Sequence, residues 1–425
     1  MKYVIRLLLV MALAAGGCVK PYDGTKDLPP VSNGASPPLP KWTWVNGSNR
    51  VDAKGVYGTL GTAAVGNVPG ARNAGISWMD GSGQLWLFGG YGFGSGATVG
   101  SLNDLWKWDG TAWTWVSGGN TLNAKGVYGT LGTAAVGNVP GARYFSISWV
   151  DGSGQLWLFG GYGYDSAGTL GSLSDLWSFT PSTGLWTWIS GSSVVNSVGL
   201  FGQKGTAAAG NAPSARYNSI SWVDGSGQLW LFGGYGYDSV GSLGNLSDLW
   251  KFTPSTGQWT WVSGISVRNG MGLYGTQGIA AAGNAPGARN LSVSWIDGSG
   301  QLWLFGGNGY DSAGSLGNLS DLWKFTPSTG QWTWVNGSST MNAVGVYGAL
   351  GIAATTNVPG ARNASSAWID GSGQLWLFGG YGYDGGTLEH LNDLWNDFRS
   401  EDFDAFEDWH CQPTVEEAFL KEIEA

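Results

Sequence analysis

Five arginines recur at matching places in the chain, Arg72, Arg143, Arg216, Arg289 and Arg362, each just ahead of a short apolar run. A guanidinium presents a planar fork of donors suited to carboxylates, so five of them at one place could bind an acidic group of a ligand. Five aspartates recur alongside, Asp104, Asp175, Asp248, Asp321 and Asp393. Matched numbers in a nearly neutral stretch support a second reading, in which each arginine pairs with the aspartate of its own repeat and fastens neighbouring strands. A further recurring set is aromatic: Tyr91, Tyr162, Tyr235 and Tyr381, with Asn308 in the fourth place. Rings of this kind can stack on sugar rings, or can pin a long loop to its neighbour. Asn308 breaks the symmetry and singles out its repeat.

Other chemistry is hard to assemble. The chain has only two histidines, His390 and His410, so neither a Ser/His/Asp set nor a histidine-rich metal site stands out. A glycosidase needs two carboxylates in different environments. No glutamate precedes Glu389, and Asp80, Asp104 and Asp165 have equivalents in other repeats, whereas Asp109 has none. The Asp-Gly-Ser-Gly segments fit hairpin turns better than calcium loops. No catalytic residue, metal or cofactor is assigned. There is no cluster of Lys and Arg to displace phosphate counterions, so no nucleic-acid partner is expected.

The elements that must position these residues are strands. In 425 residues there are 75 Gly and 27 Trp, with 14% aromatic and 12% charged residues. That composition excludes a charged helical protein, a disordered chain and, without a Gly-X-Y register, collagen. Gln-Leu-Trp-Leu-Phe-Gly-Gly begins at Gln84, Gln155, Gln228, Gln301 and Gln374. Each repeat holds four strand-like runs, such as Tyr144–Val150, Gln155–Phe159, Asp175–Phe179 and Trp186–Ile189, bounded by Gly and Pro. One such meander cannot cover both its faces, so the copies must stack on one another. The expectation is an all-β, five-bladed β-propeller of four-stranded antiparallel blades over 42–395. A lone fourth strand, Trp42-Thr43-Trp44-Val45, is expected to close the last blade. The blade connections (46–71, 117–142, 190–215, 263–288, 336–361) and the second-to-third loops (91–103, 162–174, 235–247, 308–320, 381–392) would emerge on one face. A repeated aromatic in the connections, Tyr57, Tyr128, Phe201, Tyr274 and Tyr347, argues that they are ordered. Any binding surface is expected on that long-loop face.

The Gly-Gly doublet after an apolar strand, the Asp-Leu-Trp strand and the distal Trp together resemble kelch repeats of the bacterial galactose-oxidase-like group, over Trp42 to about Trp395. The resemblance implies a propeller and, as in kelch propellers that bind peptides, a role for the recurrent arginines. The oxidase's copper site, two His and two Tyr with one Tyr crosslinked to Cys, cannot be built from this sequence.

The N-terminus reads as an export signal over 1–17. Lys2 and Arg6 precede the apolar run Leu7–Ala15, which is too short to span a bilayer. Ala15-Gly16-Gly17-Cys18 resembles a bacterial lipobox, which implies acylation of Cys18, with cleavage by an ordinary signal peptidase as the alternative. Val19 after the cysteine suggests an outer-membrane lipoprotein, with secretion as the other address. Residues 18–41 then form a Pro-rich tether. Residues 396–425 form an acidic tail, with ten acids in 397–425 against Arg399 and Lys421. The expected function is a non-catalytic, envelope-anchored recognition platform for a protein partner, touching the membrane by its lipid anchor only. A lectin-like carbohydrate-binding module is the alternative, and a glycan-acting enzyme comes third.

Overall fold

The computed structural model describes residues 43–396, except Ser372 and Gly385. The signal segment, Cys18, the tether, Trp42 and the acidic tail lie outside the described residues. The chain divides into a unit over Met1–Asn46 and a larger one over Gly47–Ala425. Of the first, Thr43–Asn46 are described: they form no strand, and the Trp44 indole N–H donates to the Asn46 carbonyl.

Every regular element in the described part of the larger unit is a strand. The first repeat contains β1 (Arg72–Asn73), β2 (Ile76–Met79), β3 (Leu85–Phe93), β4 (Val99–Trp108) and β5 (Trp113–Ser117). The second contains β6 (Arg143–Tyr144), β7 (Ile147–Val150), β8 (Leu156–Tyr164), β9 (Leu170–Thr180) and β10 (Leu185–Ser190). The third contains β11 (Arg216–Tyr217), β12 (Ile220–Val223), β13 (Leu229–Phe232), β14 (Tyr235–Tyr237), β15 (Leu243–Asn245), β16 (Leu249–Thr253) and β17 (Gln258–Ser263). The fourth contains β18 (Arg289–Asn290), β19 (Val293–Ile296), β20 (Leu302–Tyr310), β21 (Leu316–Thr326) and β22 (Gln331–Asn336). The fifth contains β23 (Arg362–Asn363), β24 (Ser366–Ile369), β25 (Leu375–Tyr383) and β26 (Leu388–Asn396).

All ladders are antiparallel, and the sheets form a propeller-like, all-β arrangement. There are six sheets rather than one per repeat, because the third repeat is split into β11-β14-β15 and β12-β13-β16-β17. The split falls at Gly233-Gly234, where the other repeats carry only a bulge within a continuous strand. The expected first strand is likewise two pieces. Ala74, Phe145, Asn218, Leu291 and Ala364 stand at positive φ between them, a conformation costing about 1–3 kcal/mol per non-glycine residue. Their backbones compensate by linking the repeats. The N–H of Phe145 donates to the Ala74 carbonyl, Asn218 to Phe145, Leu291 to Asn218 and Ala364 to Leu291.

Stacked faces supply the core. Trp86 and Phe88 of the first repeat meet Phe179 and Trp186 of the second, and the same four-ring contact recurs at the next junction, where Trp157 and Phe159 meet Phe252 and Trp259. Neither face of a lone sheet could be shielded without its neighbour. The indole N–H of Trp78, Trp149 and Trp222 each donates to a carbonyl of the following repeat, Trp157, Trp230 and Trp303.

The last sheet departs from expectation. Among the described residues it is made of β23, β24, β25 and β26 and takes no strand from residues 43–45. Its side chains are less buried than those of the other repeats: Trp368 is 46% exposed and Phe378 43%, against 3% for the equivalent Trp149 and 1% for Phe159. The predicted closing strand is therefore not found among the described residues.

Candidate functional site

Each recurrent arginine folds inward. Arg143 is 1% exposed and donates through both terminal nitrogens to the two carboxylate oxygens of Asp175, at 2.6 and 2.7 Å. Two further N–H groups donate to the carbonyls of Gly141 and Gly160. Arg72–Asp104, Arg216–Asp248, Arg289–Asp321 and Arg362–Asp393 repeat the pairing. The arrangement is that of the second reading, each arginine paired with the aspartate of its own repeat and buried there.

A tyrosine from the preceding connection completes the cluster. The hydroxyls of Tyr57, Tyr128 and Tyr274 donate to Asp104, Asp175 and Asp321 at 2.6 Å, and that of Tyr347 to Asp393 at 2.9 Å. Burial, then the adjacent carboxylate charge, pushes the Tyr57, Tyr128 and Tyr274 hydroxyls far above their ordinary range. The third repeat has Phe201 here. Its Ser214, which stands where the others have glycine, brings its hydroxyl oxygen 2.7 Å from Arg216 Nη2.

The Gly-Gly doublet couples this cluster to the next repeat. Gly89 has φ +63°, and an added Cβ would lie 2.8 Å from the Arg143 carbonyl oxygen. Gly160, Gly233 and Gly306 stand in the same way against Arg216, Arg289 and Arg362. Only a residue without a Cβ allows so close a backbone approach.

Beyond the doublet the chain does not become a loop. β3 and β8 run on through Tyr91 and Tyr162 and pair with β4 and β9, so the expected 13-residue loops reduce to short turns such as 94–98 and 165–169. The recurrent aromatics thus sit on strands, directly across from the residue after each arginine. The pairs are Asn73 with Tyr91, Tyr144 with Tyr162, Tyr217 with Tyr235, Asn290 with Asn308 and Asn363 with Tyr381.

These pairs join into one strip. Tyr91, Tyr144, Tyr162, Tyr217 and Tyr235 touch in succession across three repeats, with ring centroids 5.4, 5.7, 5.6 and 5.7 Å apart. Phe145, 41% exposed, stacks beside Tyr217. Burial and the surrounding tyrosines push the hydroxyls of Tyr144 and Tyr217 upward. None of the five hydroxyls has a hydrogen-bond partner among the described residues. From the third repeat onward amides take over. The buried Asn245 accepts from the Asn290 amide at 2.6 Å, and the buried Asn318 accepts from Asn308 at 3.3 Å and Asn363 at 2.8 Å.

Sequence reasoning found Tyr91, Tyr162, Tyr235, Asn308 and Tyr381 but passed over Tyr144, Tyr217, Asn290 and Asn363. The signal was present: the position after each arginine reads Asn, Tyr, Tyr, Asn, Asn along the chain.

The aspartates outside the arginine pairs serve turns. Asp151 accepts from the Ser153 N–H and hydroxyl, the Gln155 N–H and the Trp157 indole. Asp165 accepts from the N–H groups of Ala167, Thr169 and Val195. Among the described residues no three His, Cys, Asp or Glu side chains gather where they could hold a metal ion. No family model and no curated protein matches the chain.

Proposed function

We propose that the five repeats are the blades of a kelch-type β-propeller, carried on a lipidated Cys18 at the bacterial outer membrane, and that the protein is a non-catalytic recognition platform. Its ligand seat is the strip running from Tyr91 to Tyr381 on the face that carries the blade connections. One observation carries this reading: half-buried tyrosines held by tilted and edge-to-face contacts with their neighbours, with hydroxyls that have no partner among the described residues. Packing alone would be served as well by phenylalanine. The aspartates named above are consumed by arginines and turns, which leaves the strip without an acid and base pair for glycan cleavage.

The test uses the full-length chain in detergent, immobilised and exposed to envelope extract and to glycans. Retention of a defined ligand, lost on Tyr217→Ala, is the expected result. Turnover in a hydrolase or oxidase screen that disappears on replacing one aspartate would overturn the non-catalytic reading. Incorporation of labelled palmitate, abolished by Cys18→Ser, tests the anchor.

A further inference from the structure

We infer that the strip selects a neutral saccharide chain; the inference rests on the strip being the ligand seat and names the class of ligand it takes. The ring and amide side chains that make up the strip, from Tyr91 to Tyr381, carry no charge at neutral pH, and only at its far end does a histidine adjoin them, the His390 ring 5.2 Å from that of Tyr381. The arginines that would have favoured an acidic peptide are withdrawn into buried pairs with aspartate. A ligand matched to this surface is therefore uncharged and rich in both hydrogen-bonding groups and flat C–H faces, which describes a pyranose chain.

The two halves of the strip supply complementary recognition. Tyr144, Tyr162, Tyr217 and Tyr235 offer amphipathic rings already fixed by cross-strand pairing and ring contacts, so little side-chain freedom is lost on binding. Their free hydroxyls can both donate and accept. The amide half is set by a second layer. Asn245 and Asn318, each 4% exposed, hold the partly exposed Asn290, Asn308 and Asn363 in place through one N–H apiece. That leaves on each of the three a carbonyl oxygen with no donor among the described residues, and a second N–H, for a ligand's hydroxyls. The strip is directional although the scaffold repeats. Touching rings run from Tyr91 to Tyr235 and the amides Asn290, Asn308 and Asn363 follow before Tyr381, so a chain lying along it has a preferred polarity.

The experiment presents full-length protein in detergent with arrays of neutral oligosaccharides (gluco-, xylo-, manno- and galacto-configured) beside uronic-acid and sulfated chains, followed by titration calorimetry on the best neutral binder. Binding of a neutral chain is expected, weakened about tenfold by Tyr217→Ala and by Asn308→Ala, and less by Tyr217→Phe. Thermal unfolding of each variant separates lost binding from lost fold, and Tyr217→Phe keeps the ring should the alanine variant unfold. Failure to bind any neutral chain, or preference for the acidic ones, overturns the saccharide assignment. If an envelope protein is instead retained through Tyr217, the seat is right and the ligand class wrong. A neutral chain bound equally by all the variants overturns both.

Discussion

Ser214 Oγ lies 2.7 Å from Arg216 Nη2 in the one repeat where Phe201 brings no hydroxyl to the arginine–aspartate pair. In the other four repeats a tyrosine hydroxyl binds that aspartate and a glycine stands in place of Ser214. The two departures therefore offset one another chemically, each repeat retaining one hydroxyl in the cluster. Ser214→Ala is expected to cost about 1.5–3 kcal/mol, the range for a hydrogen bond to a charged group. Phe201→Tyr should recover most of that loss in the Ser214→Gly background. Urea unfolding midpoints across the double-mutant cycle check this, and additive effects would show that the two positions are independent.

Arg143 lies inside the fold with Asp175, whose side chain is fully buried. Arg143→Ala leaves that carboxylate uncompensated, and a loss of about 3–5 kcal/mol is expected. Arg143→Lys should rescue little, because an ammonium cannot reproduce the two-pronged contact or reach both glycine carbonyls. Chemical denaturation of both variants decides; a lysine variant as stable as the parent would mean that charge alone suffices.

Stability should fall at both ends of the pH scale. At Asp393, burial pushes the carboxyl up, but hydrogen bonds from Arg362 and Trp395 outweigh it and hold it below the usual range. The same balance holds Asp80, Asp224, Asp238 and Asp311 down. Asp109 is held down to about 2 by the Ala112 N–H, then by Thr111. Depressed carboxyls contribute fully above the ordinary aspartate value of about 3.9 and lose that contribution as pH falls through their folded values. Tyr57, Tyr128 and Tyr274 act in the opposite sense. Their raised values are stabilising below about pH 10, and the benefit is lost above it as the unfolded chain ionises. Melting temperatures measured from acid to alkali should form a plateau between these limits. A melting temperature unchanged down to pH 2 would contradict the acid limb.

Equivalent tryptophans should differ sharply in cost. Trp149 is buried between repeats, and Trp149→Ala is expected to cost about 3–5 kcal/mol. Trp368 fills the same place in the last repeat with nearly half its surface exposed, so Trp368→Ala should cost less than half as much. The loosening begins one junction earlier. The Trp295 indole N–H is buried without a partner among the described residues, whereas Trp78, Trp149 and Trp222 each bond across to the next repeat. Hydrogen exchange should find the fifth repeat opening first; uniform protection across all five would contradict the gradient.

Much of this architecture is written openly in the chain. Alternating Ile-Ser-Trp-Val and Leu-Trp-Leu-Phe runs mark the inner strands, and the matched arginines and aspartates signal pairs between them. Gly160-Gly161 was misleading because glycine usually ends a strand. Here it admits a bulge and a close neighbouring backbone, and the strand runs on to Tyr164. That misreading hid the strip, since Tyr162 looked like a loop residue and its cross-strand mate Tyr144 like ordinary strand filling. The coupling of Phe201 to Ser214 was illegible for a different reason. Thirteen positions separate them, and only the folded connection sets Ser214 on Arg216 and Phe201 on Trp250.

The junction between a glycine doublet and the following arginine's carbonyl has the same chemistry wherever it occurs. A deletion or duplication of one whole period, 71 residues at the first step and 73 at the others, would rejoin parts that already fit. Copy number could thus drift by unequal recombination without inventing a new interface. What would change is the inventory of rings and amides strung along the strip, so gene arithmetic alone would rewrite that surface and leave the scaffold chemistry untouched.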